Sequence, residues 1–150
     1  MKIWVDADAC PGVVKEIICR AAIKRTIETV FVANKEISLA ASPHLSAIRV
    51  PLGPDVVDQY IVSLAQAGDL AISQDIPLAA QLISLGVTVI SPYGTLFTDS
   101  NIADRLSVRD FLTEMRDSGL VTGGPKPFGE KEKRQFANML DQALHRLLKK

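Results

Sequence analysis

Two aspartates one alternation apart, Asp6 and Asp8, close the apolar run Lys2-Ile-Trp-Val-Asp-Ala-Asp-Ala-Cys10 at the head of the chain. A strand has a side-chain period of two, so both carboxylates are expected on the same side of its end. Like charges held together repel, and a site that keeps several usually holds a divalent cation or a shared proton to offset the cost. A plainer alternative has Asp8 capping a helix that starts near Pro11 while Asp6 faces solvent. Asp75 follows the run Leu70-Ala-Ile-Ser73 by two residues, and Asp58 stands one turn into a helical pattern, three residues after Asp55. A helical side chain leans back toward the start of its helix, which would bring Asp58 toward the strand ends. The bland alternatives are an exposed helix position for Asp58 and an N-cap for Asp75. Asp55 reads as the cap of its own helix, and Asp69 as part of a turn at the opposite edge of the sheet.

Four carboxylates, Asp6, Asp8, Asp58 and Asp75, would make an oxygen-ligand site suited to Mg2+ or Mn2+ and to phosphodiester hydrolysis. A cation there polarises a phosphoryl oxygen and acidifies a water, and a carboxylate off the metal can orient that water. Ser73 can donate to a carboxylate and fix its orientation. His44 and His145 are the only histidines and lie far from these runs, so a zinc site and a histidine-based triad both lack parts. Cys10 and Cys19 are too few for a disulfide scaffold. Cys19 reads as a small buried hydrophobe. Cys10, beside the aspartates at a helix start, has a competing reading as a nucleophile, favoured by the helix end and opposed by the carboxylates.

These residues need a frame. Strand-like runs at 2–6, 28–33, 46–50, 70–73 and 87–90 alternate with helical patterns near 11–24, 55–67 and 76–85, an order that predicts an α/β fold with a three-layer parallel sheet and helices on both faces. Gly86 reads as the stop of the third helix, and residues 34–45 as a crossover loop without a long helix. In such sheets ligands meet the carboxyl ends of the strands, where Asp6, Asp8 and Asp75 fall. With 150 residues, 47% of them apolar and 23% charged, the chain has the size and composition of one globular domain with its own core. Seventeen basic and seventeen acidic residues cancel, yet residues 126–150 carry seven basic against three acidic. A basic final helix beside an acidic site could touch a phosphate backbone.

The string Trp4-Val-Asp-Ala-Asp-Ala-Cys-Pro11, Val14-Val-Lys-Glu16, Ala33-Asn34, the Asp55 and Asp58 pair, Gly68-Asp-Leu70, Asp75-Ile-Pro-Leu-Ala79, Arg109-Asp-Phe111, Thr122-Gly-Gly-Pro125 and Phe136-Ala-Asn138 resembles the YaiI/YqxD family of bacterial proteins over nearly the whole chain. That family is itself similar to PIN-like nucleases. The resemblance implies a single PIN-like domain over residues 1–150, with 101–150 as a helical and loop extension packed on it. In PIN-like nucleases acidic groups end the first strand, sit in a central helix and follow the fourth strand, places matched by Asp6, Asp58 and Asp75. Asp8 departs from the pattern and would add a ligand or replace one. Lys15 and Asn34 are candidate polar neighbours, with Lys15 able to meet a phosphate.

Beyond Ser91-Pro92 the sheet is expected to end. Residues 101–118 read as a helix bearing Arg105, Arg109 and Arg116, and 119–129 as a glycine- and proline-rich loop lacking the Lys-Ser/Thr ending of a P-loop. The expected activity is metal-dependent hydrolysis of RNA or other single-stranded nucleic acid. One alternative is a haloacid dehalogenase-type phosphatase, with Asp6 as nucleophile and Asp8 as acid and base, although the partner lysine and later acidic pair of such enzymes are not evident. Another is a binding domain for nucleic acid or protein, which eight aromatic residues would serve poorly if bases had to be stacked. The chain starts directly in a strand and holds no long apolar run, so a cytoplasmic, membrane-free protein is expected.

Overall fold

The alternation of apolar runs resolves, among the described residues, into a sheet of six strands in the order β3-β2-β1-β4-β5-β6. The computed structural model describes residues 1–104 and 128–149. The strands are β1 (Lys2–Asp6), β2 (Glu28–Ala33), β3 (Leu45–Arg49), β4 (Leu70–Ile72), β5 (Thr88–Ile90) and β6 (Leu96–Phe97). The first five pair in parallel, and β6 runs antiparallel to β5. The sheet is therefore mixed, not purely parallel. It also continues past Ser91-Pro92, where the sequence reading ended it: a turn over Ser91–Thr95 returns the chain, with Ser91 Oγ accepting from the amides of Tyr93 and Thr95. A strand of two residues carries too little alternation to be seen in sequence.

The helices are α1 (Gly12–Arg25), α2 (Val56–Leu64), α3 (Ile76–Ser84), α4, of which residues 99–104 are described, and α5 (Glu130–Leu148). No helix lies between β2 and β3, as expected for the crossover loop. Gly86, at φ 86°, ends α3 in the left-handed region where a glycine has no Cβ penalty. Most of the expected 101–118 helix, with Arg105, Arg109 and Arg116, and the loop 119–127 lie outside the described residues.

The period of two divides each central strand between two cores. Ile3, Val5, Phe31, Leu70, Ile72 and Ile90 face one side and pack with Val14 and Ile18 of α1 and Phe136, Leu140 and Leu144 of α5. Trp4, Val30, Val32, Ala71 and Val89 face the other and pack with Ile61 of α2 and Leu78 and Leu82 of α3. The C-terminal helix is thus a full part of one core layer. At the amino edge Asp69 is buried and accepts from Lys2 N, Trp4 Nε1 and Gln66 N at 2.9–3.0 Å, pinning the start of β1 to the turn before β4.

Gly94 is the tightest point of this packing. Its φ is +88°, and a Cβ there would lie 2.6 Å from the backbone carbon of Gln135 in α5. Gly94→Ala combines a left-handed penalty with overpacking against a helix backbone that cannot step aside. We expect it to cost about 2 kcal/mol of stability, read as a lowered denaturant midpoint at unchanged m. A midpoint equal to that of the unsubstituted protein would show that α5 does not seat on this turn.

Candidate functional site

Strand order places the site before any side chain is considered. From β1 the chain moves to β2 and β3 on one side, then crosses back to lay β4 against the other side of β1. The carboxyl ends of β1 and β4 flank this reversal, where helices on opposite faces leave a crevice. Asp6 is the last residue of β1, and Ser73 and Asp75 directly follow β4. Asp6 lies two residues beyond Trp4 and by alternation shares its face, the one covered by α2 and α3.

A single hydroxyl joins the two strand ends. Ser73, fully buried, donates from Oγ to Asp6 Oδ2 at 3.0 Å and accepts the amide N–H of Asp75 at 3.0 Å. Asp75 is the N-cap of α3, with Oδ1 accepting from Leu78 N at 2.9 Å. The capping role read as an alternative is therefore real, but it uses one oxygen only. Asp58, half-buried in the first turn of α2, shares a hydrogen bond with the Asp75 carboxyl. Burial is the main force that pushes the Asp58 carboxyl up to about 7, followed by the charges of Asp75 and Asp6, that hydrogen bond, and the charge of Asp55. Asp6 is also raised, by burial first; the Ser73 hydroxyl opposes the shift and the charges of Asp75 and Asp8 reinforce it. Asp6, Asp58 and Asp75 thus lie together, each in the field of the others.

Asp8 reaches the group by another route. The strand stops at Asp6, and Ala7–Ala9 form a 3-10 turn, so the expected alternation does not position Asp8. Nor does it cap α1, whose N-cap is Pro11. Instead Asp8 Oδ2 accepts the amide N–H of Asn34, just past β2, at 2.9 Å, while Oδ1 is buried with no hydrogen-bond partner among the described residues. Leaving such an oxygen unsatisfied costs about 1–3 kcal/mol. Asn34 therefore contributes its backbone. Asp55 sits at the N-cap of α2 but makes no side-chain cap, contrary to the sequence reading, because its backbone is left-handed at φ 62°. Its charge acts on Asp58, a link that the three-residue spacing already carried.

Cys10 packs in the core, and burial pushes its thiol up to about 12, against a lowering contribution from Lys15. At neutral pH it is a neutral thiol, which removes the nucleophile reading. Cys19, half-buried, is raised as well, by burial and by Glu16. Among the described residues, no three His, Cys, Asp or Glu side chains are so arranged that they could hold a metal ion as they stand. The donor chemistry nonetheless fits a hard cation: every group is a carboxylate oxygen, one is orphaned, and one carboxyl is kept near its point of ionisation.

Ser73→Ala would cut both links at once. We expect about 1–3 kcal/mol of lost stability and a further rise in the Asp6 pKa, read by carbon NMR of the carboxyl. An Asp6 titration unmoved by the substitution would mean that the hydroxyl does not hold that carboxylate in solution.

Among the described residues, no helix is long and apolar enough to cross a membrane. No solved structure gives a significant match to this one. In sequence, the chain is 52% identical to a UPF0178 protein of Myxococcus xanthus over 99% of its own length and 97% of the relative's. It is 51% identical to a UPF0178 protein of Marinobacter nauticus over the whole of both chains, and 51% identical to one of Syntrophobacter fumaroxidans over 99% and 97%. Residues 4–146 match the family described as "Uncharacterized BCR, YaiI/YqxD family". With that match spanning both strand ends of the crevice and the helices around it, the chain belongs to the YaiI/YqxD family.

Proposed function

We propose that the chain is a nuclease of PIN-like type, hydrolysing phosphodiesters of RNA or other single-stranded nucleic acid with the help of Mg2+ or Mn2+. The observation that carries this reading is the gathering of Asp6, Asp58 and Asp75 at the β1/β4 reversal, with one carboxyl pushed up to about 7 by burial and by the others. Such an arrangement is costly without a counter-charge, and it lies where open parallel sheets bind ligands. Asp6 and Asp75 would hold the cation, with Asp8 and Asp58 completing its shell or orienting the attacking water. When bound, the cation would stabilise charge on the phosphoryl oxygens and acidify a water. Ser73 keeps Asp6 turned toward Asp75, and the Leu78 amide keeps one Asp75 oxygen occupied so that the other faces the cluster. Magnesium is commonly held by one or two carboxylates and completes its shell with waters and substrate phosphates.

Purified protein with manganese, assayed on a fluorescent single-stranded RNA and on a generic phosphate monoester, tests the proposal. RNA cleavage without monoester turnover is expected. Monoester turnover with a trappable aspartyl phosphate would instead establish the haloacid dehalogenase-type reading, and cleavage of neither would leave a binding domain.

A further inference from the structure

The basic tail is split between the two edges of the sheet. Arg25, at the end of α1, pairs with Asp141 of α5, and β2 begins three residues later, so this end of both helices lies at the amino edge of the sheet. Gln135, near the start of α5, lies against the turn after β5 at the carboxyl edge. Arg146 and Lys149 therefore project away from the crevice. Lys131, Lys133 and Arg134 stand beside Gln135 at the carboxyl-edge end of α5, and α1 supplies a second group of cations. α1 carries Lys15, Arg20, Lys24 and Arg25 against a single acid, Glu16, whereas α2 and α3 carry no basic residue at all.

A cleft of about 830 Å³ runs along α1, walled on its other side by the loop 35–40. Its α1 wall, from Gly12 to Ile23, would be about 17 Å long at 1.5 Å per residue. Lys15, Arg20 and Lys35 line it, and among the described residues none of the three forms an ion pair. Glu16 and Glu36 also line the cleft, leaving it net positive in a body that is otherwise acidic. The upper end adjoins the carboxylates: Gly12, which lines the cleft, opens α1 four residues after Asp8 and six after Asp6, the last residue of β1. Cys19, Ile37 and Leu39, partly buried against the core, provide an apolar floor, the exposed Ile23 lies at one end, and no aromatic ring lines the cleft among the described residues.

We infer that this cleft is the track for the phosphate backbone of a single-stranded nucleic acid, held by Lys15, Arg20 and Lys35 and leading to the carboxylate crevice. The inference rests on the nucleic-acid reading above. Unpaired cations in a groove bind phosphates by releasing counterions, independently of sequence, and the lack of aromatic rings means that bases are not stacked there. Loop 35–40 forms the second wall because the connection between β2 and β3 carries no helix to fill the space beside α1.

Binding of a short fluorescein-labelled oligouridylate, followed by anisotropy in EDTA so that nothing is cut, provides the test. The combined variant Lys15→Gln, Arg20→Gln, Lys35→Gln should bind at least tenfold more weakly at low salt. Its slope of log affinity against log salt should be shallower by about 2, at roughly 0.7 per phosphate contact on a single strand. Circular dichroism and thermal melting confirm that the variant is folded. A variant on α5, Lys131→Gln, Lys133→Gln, Arg134→Gln, should retain the slope of the unsubstituted protein. No binding by the unsubstituted protein, an unchanged slope in the cleft variant, a slope lost instead in the α5 variant, or equally tight competition by polyglutamate would each overturn the inference. If the cleft variant behaves as expected but manganese supports no cleavage by the unsubstituted protein, the nuclease reading falls and the track stands.

Discussion

Asp6→Asn is expected to lower manganese-dependent RNA cleavage by about 100- to 1000-fold without loosening the fold. Asn has the size of Asp, and its side-chain oxygen can still accept the Ser73 hydroxyl that now reaches Asp6 Oδ2 at 3.0 Å. What disappears is a buried negative charge on the strand end nearest the other carboxylates. Burial already opposes that charge, as the raised pKa of Asp6 shows, so the melting temperature should stay level or rise when it is removed. Activity and stability then move in opposite directions, which is the signature of a group retained for chemistry at some cost to the fold. A large fall in both would make Asp6 a structural residue. Equal cleavage by the variant would point to a contaminating nuclease.

Much of this site was legible in sequence because its parts obey short-range rules. An apolar strand followed by acids, a serine two residues before an aspartate, and a helix start beside Asp58 each follow from local periodicity, and parallel order then sends their ends to one edge. That reasoning brings Asp6, Asp58, Ser73 and Asp75 to one place in the fold. What escaped depends on backbone geometry that local patterning does not specify. Asp8 was assigned to the site on an alternation that the 3-10 turn over Ala7–Ala9 interrupts, and its actual anchor is a backbone amide 26 residues away. Asp55 looked like a cap, but its left-handed backbone prevents that role. The short strand β6 forms through a turn and a close contact with α5, neither of which leaves a periodic trace. The cleft beside α1 was invisible for a related reason: the helix-free connection between β2 and β3 is legible, but where its residues 35–40 lie against α1 is not, and sequence patterns describe elements more readily than the spaces between them.

Manganese affinity should fall steeply below about pH 7. Asp58 carries the largest perturbation at the site, its carboxyl pushed up to about 7 by burial and by Asp75 and Asp6. A cation that uses the ionised cluster must displace that proton, so apparent affinity should drop toward tenfold per pH unit below 7, or roughly 100-fold between pH 8 and pH 5. The cation-free protein should show the reverse trend in stability. A carboxyl whose folded pKa lies above its unfolded value near 4 binds its proton more tightly when folded, so its contribution is complete below about pH 4 and is lost as pH rises through about 7. The melting temperature should fall over that interval, by less than full burial would give because Asp58 is only half-buried, and manganese should restore it above pH 7. Asp58→Asn should flatten both profiles while Asp55→Asn, which removes the weakest of the influences on Asp58, should shift them only slightly. Calorimetric titration from pH 5 to 8 with thermal melts on the same samples distinguishes the two variants. An affinity that does not change with pH, or one whose dependence survives Asp58→Asn, would place the cation away from the carboxylates that converge on β1 and β4.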